Sequence, residues 1–302
     1  MPPTEQDGGA ALRGMLLMTS AAALFSCLDT VAKYLGQTMN SVDVAFLRYA
    51  TNLILLALVL RVWNHPAAFR TKRPLMHILR GLTLMGATFF NFWALQYLAL
   101  AEAVAIMFAA PLVVTALAGP VLGEEVGIRR WAAVGVGFAG VLIVTRPGTG
   151  AMHWAALLSM CAMMSYASYS LLTRRMNATE KPETLLMLSV LVGTLVLSPW
   201  AVTAVTTLDG WHWALAFLMG ALGLVGHYFL VIAHRIASAS MLAPFLYTQM
   251  VWMILFGYVI FGDTPDLWTL LGMVVIAGAG LYILHRERVR RRTPLVTDPA
   301  VQ

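Results

Sequence analysis

The chain has 302 residues, of which 60% are hydrophobic and only 11% charged, and its formal net charge is +6. A soluble fold of this length carries far more charge, and two cysteines give no disulfide framework. These numbers exclude an ordinary globular domain and leave an all-α, polytopic membrane protein.

About 20 apolar residues cross the hydrocarbon layer as a helix. Ten such blocks follow one another, near residues 14–35, 42–62, 75–98, 102–122, 131–147, 152–173, 184–207, 211–234, 239–261 and 267–285. An even number of spans puts both termini on one side, and the basic residues choose which. Arg13 precedes span one; Arg61, Arg70, Lys72 and Arg73 follow span two; Arg129 and Arg130 follow span four. Arg174, Arg175 and Lys181 follow span six, Arg235 follows span eight, and Arg286, Arg288, Arg290, Arg291 and Arg292 follow span ten. Only Arg146 falls across the membrane, while Lys33, Arg48 and Arg80 lie inside spans. The positive-inside rule then places both termini in the cytoplasm of a bacterial inner-membrane protein. The RERVRRR segment serves that topology and is placed to meet anionic lipid head groups. The basic excess needs no nucleic-acid partner.

Sliding the chain on itself by 139 residues brings it into register without a gap. Gly81 falls on Gly220, Ala94 on Ala233, Phe108 on Tyr247, Ser26 on Ser165, and Gly123-Glu124 on Gly262-Asp263. Each copy holds five spans, so the second inserts upside down. The organisation expected is a cytoplasmic tail at 1–12, a five-helix repeat at 13–147, its inverted copy at 148–286, and a basic cytoplasmic tail at 287–302. Inverted repeats of this kind characterise secondary transporters.

The run YLALAEAVAIMFAAPLVVTALAGPVLGEEVGIRRWAAVGVGFAGVLIV and its copy ASMLAPFLYTQMVWMILFGYVIFGDTPDLWTLLGMVVIAGAGLYI carry a family resemblance. They resemble the ten-helix EamA-type repeats of the drug/metabolite transporter superfamily, and over the whole chain the bacterial riboflavin-importing branch. The resemblance implies a transporter with a cavity between the repeats, and a small-molecule substrate.

The repeat also serves as an internal control on the charged residues within the spans. Asp29 maps to Ser168, Lys33 to Leu172, Arg48 to Met187, Arg80 to Met219 and Glu102 to Met241, so one half carries charges that the other does without. At 1.5 Å per residue, Asp29 and Arg48 lie about 9 Å below the outer surface, Lys33 about 3 Å and Asn91 roughly 10 Å. Asp29, Lys33 and Arg48 are expected either as an ion-pair network fastening helices one and two, or as the polar wall of the cavity. Arg80 is expected to snorkel to the inner face. Glu102 is expected to cap the start of span four. The second half offers Tyr166 and Tyr169, His227 and Tyr228, and Phe245, Tyr247 and Gln249; with Trp93 these complete the candidate lining. Pro111 and Pro244 do not map onto each other, so the halves are expected to bend differently. Gly135, Gly137, Gly140, Gly272, Gly278 and Gly280 are expected to let helices approach closely.

HExxH and GxSxG are absent and the seven histidines do not cluster, so neither an enzyme nor a metal or cofactor site is expected. Asp29, Glu102 and His227 are the candidates for proton coupling. Import of riboflavin or a similarly planar metabolite is the leading expectation, with export of amino acids, metabolites or drugs as the alternative. Oligomeric state has no sequence signal.

Overall fold

The computed structural model describes residues 5–61, 63, 71–122, 127–176, 179–237 and 239–292. The expectations made for Arg70 and for Gly123-Glu124 lie outside these. The helices are α1 (Glu5–Leu35), α2 (Ser41–Leu60), α3 (Pro74–Leu95), α4 (Leu100–Met107), α5 (Ala110–Leu122), α6 (Ile128–Thr145), α7 (Ala156–Met176), α8 (Pro182–Thr207), α9 (Gly210–Ile236), α10 (Ala239–Leu246), α11 (Thr248–Phe256) and α12 (Leu267–Arg292). A π-helical turn, Gly257–Phe261, continues α11. Among the described residues, ten stretches are long and apolar enough to cross a membrane. One is α4 with most of α5, and another runs from Pro244 through α11 to Phe261. "Inner" and "outer" below name the two faces as the basic residues assign them.

Local chemistry sets the ends. Pro74 and Pro182 begin α3 and α8, where a missing N–H costs nothing. Asp209 caps α9 by accepting the His212 N–H at 2.9 Å. The helix α12 continues well past its span, because neither glycine nor proline interrupts Arg286–Arg292 and cations suit a helix C-terminus.

Packing repeats the sequence symmetry. Helix α1 lies along α9 and α3 along α7; a shift of 139 residues turns the first pair into the second. Helix α2 packs on α8 and α9, and α6 on α12. Gly81 and Gly220, matched by that shift, are both close-approach points. A Cβ on Gly81 would stand 2.6 Å from Val192 Cβ, and one on Gly220 2.5 Å from Thr51 Oγ1. Gly140 and Gly272 hold the α6–α12 seam: a Cβ on Gly140 would come 2.8 Å from Ile276 Cγ1, and one on Gly272 2.8 Å from the Gly140 carbonyl oxygen and closer still to Val144. Gly137 meets Leu112 and Ala279, and Gly280 meets Tyr247. Gly135 and Gly278 depart from expectation: they face outward, with nothing within 4 Å of an added Cβ.

The bends are also a correction. Span four unwinds at Phe108 and Ala109, and span nine at Tyr247. Phe108 and Tyr247 are partners under the 139-residue shift, so the halves break at one equivalent place despite their unmatched prolines. The two rings pack together with centroids 4.9 Å apart.

Candidate functional site

Asp29, in the outer half of α1, is half-buried and looks toward α3, where Asn91 Nδ2 donates to its Oδ1 at 3.2 Å. Arg48 on α2 lies within electrostatic reach of Asp29, yet no ion pair joins them. The guanidinium is held from another direction. Its Nη1 donates to Thr88 Oγ1 at 2.6 Å, and it lies 5.3 Å from the Tyr49 ring centroid and 5.9 Å from that of Phe92. Tyr49 Oη shares Thr88 Oγ1 at 3.1 Å. The Arg48 Nε is buried with no hydrogen-bond partner. Two opposite charges, one from α1 and one from α2, are therefore held along one face of α3, each by a neutral group and with no ion pair between them.

Further contacts tie α1 and α2 to the second half. One turn toward the inner face from Asp29, Ser26 Oγ approaches the Gln249 carbonyl oxygen at 3.4 Å, which ties α1 to α11. Thr51 Oγ1 donates to the Ala216 carbonyl at 3.0 Å, and Asn52 Nδ2 reaches the Gly220 carbonyl at 3.5 Å, which ties α2 to α9. On α9, His227 meets Phe25 edge to face at 5.0 Å. It also lies within the fields of Arg48 and Arg80.

Arg80 does not snorkel. It is 2% exposed and forks across two helices, α7 and α8: Nε to Thr173 Oγ1 at 2.7 Å, Nη1 to the Leu185 carbonyl at 2.6 Å and to Ser189 Oγ, and Nη2 to Tyr169 Oη at 2.9 Å. The guanidinium also lies 4.6 Å from the Tyr169 ring centroid. Snorkelling fails because α7 and α8 supply acceptors at the residue's own depth. Tyr166 packs against Tyr169 with centroids 6.1 Å apart.

The expected network of Asp29, Lys33 and Arg48 is not formed. Lys33 Nζ instead donates to Asp263 Oδ2 at 2.9 Å and to the Leu98 carbonyl at 2.7 Å. Four residues along a helix set Lys33 nearer the outer face, where the segment after span nine supplies a carboxylate. Beside it, Arg146 Nη2 pairs with Asp266 Oδ2 at 2.7 Å. Asp266 lies outside the spans, and its carboxyl is held below the ordinary range. Partial burial works the other way, but hydrogen bonds from Thr269 and the Arg146 charge outweigh it. Glu102 stands in the first turn of α4. On the inner side, His77 Nε2 lies 3.4 Å from Glu180 Oε2, and Thr71 Oγ1 donates to Glu180 Oε1 at 2.9 Å.

Three candidates stand apart from the Asp29–Arg48 space. Trp93 packs with Phe89 and Trp154 in an aromatic group that includes exposed Tyr97, the arrangement of an interfacial belt. Tyr228 is 62% exposed beside Phe229. Phe245 packs with Met18, Ala233 and Leu242 near the inner ends of α1 and α9. Residue-type reasoning missed Tyr49, Thr88, Phe92 and Asp263. Of these, Thr88 and Asp263 carried a signal in the repeat, as the mates of His227 and Glu124.

The family described as EamA-like transporter matches residues 12–146 and again 153–285. The chain is 31% identical over 279 residues to an S-adenosylmethionine uptake transporter of Rickettsia prowazekii, covering 92% of this chain and 94% of the relative. It is 32% identical over 294 residues to a riboflavin transporter of Rhizobium johnstonii, covering 94% and 95%. A riboflavin transporter of Vibrio cholerae is 28% identical over 291 residues, covering 93% and 96%. A solved crystal structure superposes with a TM-score of 0.59 at 16% identity, over 96% of this chain and 100% of its own, a likeness of fold alone.

Proposed function

The chain belongs to the EamA-like transporter family, and from that premise we propose that it imports a small metabolite across the bacterial cytoplasmic membrane. Both termini lie in the cytoplasm, and the two inverted repeats expose the Asp29–Arg48 space alternately to either side.

One observation carries the substrate class. Asp29 and Arg48 are held along one face of α3 in the outer half of the membrane without pairing. Charges at such depth are costly, and a ligand that brings the opposite pair of charges satisfies both at once. A zwitterionic amino-acid group does this: its ammonium meets Asp29 and its carboxylate takes the unused Arg48 Nε edge. Each such bond contributes about 1.5–3 kcal/mol. The Tyr49 and Phe92 rings lie beside Arg48, and Phe25, one helical turn from Asp29, packs on His227, which suits a substrate with a planar portion. S-adenosylmethionine, which the Rickettsia relative is named for taking up, combines the two.

A second reading has its own observation. Asn91, Thr88 and Tyr49 offer amide and hydroxyl groups beside Asp29 and Arg48, the complement of an uncharged heteroaromatic edge. Riboflavin, for which the Rhizobium relative is named, is such a ligand.

Purified protein titrated with S-adenosylmethionine and with riboflavin, followed by uptake of each into proteoliposomes, decides between them. Binding and uptake of S-adenosylmethionine, blocked by excess of a simple zwitterion such as methionine, is the expected result. Binding of riboflavin alone establishes the second reading, and outward flux alone establishes the export alternative. Asp29, Glu102 and His227 remain the groups proposed for proton coupling; uptake indifferent to an imposed pH gradient removes them from that role.

A further inference from the structure

Lys33 and Asp263 form a contact whose place in the repeat is more informative than its strength. Lys33 ends the first span of repeat one; Asp263 follows the last turn of the ninth span, in repeat two. The carboxylate is presented by a shaped piece of backbone. Gly262 adopts φ 70°, and Asp263 N–H donates back to the Gly257 carbonyl at 3.0 Å, closing the π-helical turn. Lys33 Nζ is gripped further by the Leu98 carbonyl and lies 5.0 Å from the Phe261 ring centroid. Leu35, Leu95, Leu98 and Leu100 at this end of repeat one are buried, so the pair joins the packed outer end of repeat one to the Asp263 turn of repeat two.

Under the 139-residue shift, Asp263 corresponds to Glu124 but Lys33 corresponds to Leu172. The acid exists in both copies; the cation exists in one. Leu172 itself cannot supply the matching cation, and the His77–Glu180 contact on the inner side joins different places in the repeat.

We propose that Lys33 and Asp263 are the outer latch of the transport cycle, an ion pair joining the two repeats that favours the outer-closed state of the empty protein. A substrate arriving from outside enters when the latch separates, and the pair re-forms behind it. The proposal rests on the transporter reading but not on the identity of the substrate.

The test reads the gate without substrate, so its failure is distinct from a failure of the substrate assignment. Nitroxide labels are placed on cysteines at Gln37 and Thr264, both exposed on the outer side, in a Cys27→Ala/Cys161→Ser background, and their separation is measured by double electron–electron resonance. The parent and Asp263→Glu should give a dominant short distance. Lys33→Met and Asp263→Asn should each raise the ratio of long to short populations roughly threefold or more, and the double variant should shift no further than either single one. An unchanged distribution in both single variants overturns the proposal. So do single effects that add in the double variant, because the residues would then act independently.

Discussion

Asp29→Asn separates a transport role from a scaffolding role, because it keeps the shape of the side chain and removes only its charge. Asn91 Nδ2 donates to Asp29 Oδ1 at 3.2 Å, and the amide oxygen of an asparagine accepts the same bond. Among the described residues no ion pair holds Asp29, so none is lost. What disappears is the cost of holding a carboxylate at this depth, about 2.5–3.5 kcal/mol on insertion scales, less whatever the Arg48 field returns. The variant should therefore unfold at or above the wild-type temperature in detergent. Uptake should move in the opposite direction. A hydrogen bond to a charged partner contributes about 1.5–3 kcal/mol, so uptake at subsaturating substrate should fall roughly 10- to 150-fold. Proteoliposome flux normalised to protein, measured beside thermal unfolding, gives both numbers. Normal uptake with a lowered unfolding temperature would make Asp29 a structural residue and refute the assignment.

Three further outcomes follow from the geometry. Gly220→Ala sets a Cβ 2.5 Å from Thr51 Oγ1 and 3.0 Å from the Thr51 backbone carbon, and should cost about 1–3 kcal/mol in denaturant unfolding; Gly278→Ala, with nothing near its Cβ, should stay within about 0.5 kcal/mol. Arg80→Met removes four hydrogen-bonding contacts, each worth about 0.6 kcal/mol in a membrane bundle, so thermal unfolding should show a loss of roughly 2 kcal/mol that Arg80→Lys does not restore, because an ammonium cannot reproduce the fork. Asp266 has a lowered pKa, so the stabilisation from its pairing with Arg146 is complete above the ordinary carboxylate range and is lost as pH falls through the lowered value. The difference in unfolding temperature between wild type and Arg146→Gln should accordingly hold steady from pH 8 to about 5 and shrink below about 4.

The spans and the repeat were legible because both depend on long-range averages, apolar length and five-helix periodicity, that survive local error. The site was legible in part. Asp29 and Asn91 meet because each is a polar residue at similar depth on packed helices, and Arg48 reaches the same face of α3 through Thr88. Their partners were harder to read. Lys33 bonds a residue 230 positions away, and hydropathy does not report which of two nearby carboxylates a flexible ammonium reaches. Arg80 was placed by distance from a helix end, which says nothing about whether the neighbouring helices carry acceptors. Tyr228 was chosen beside His227, yet one residue turns a helix by 100° and sends its ring outward.

The breaks in spans four and nine show what the repeat preserves. Pro111 accounts for the first directly: lacking an N–H, it leaves the Met107 carbonyl without its helical partner, and α4 ends at Met107. Pro244 cannot account for the second in that way, since its missing bond would have gone to Ser240, within α10 itself. There the Thr248 hydroxyl takes the Phe245 carbonyl at 2.6 Å, and Met250 N–H bonds the Tyr247 carbonyl at a shortened helical spacing. Two chemistries thus unwind the chain at matched residues. Unwound backbone is tolerated at membrane depth only when protein covers it, and Phe108 and Tyr247 are each only 9% exposed, ring against ring. What is held in common between the halves is therefore the meeting point of the two breaks, while the charges, free of that constraint, are gathered in one half.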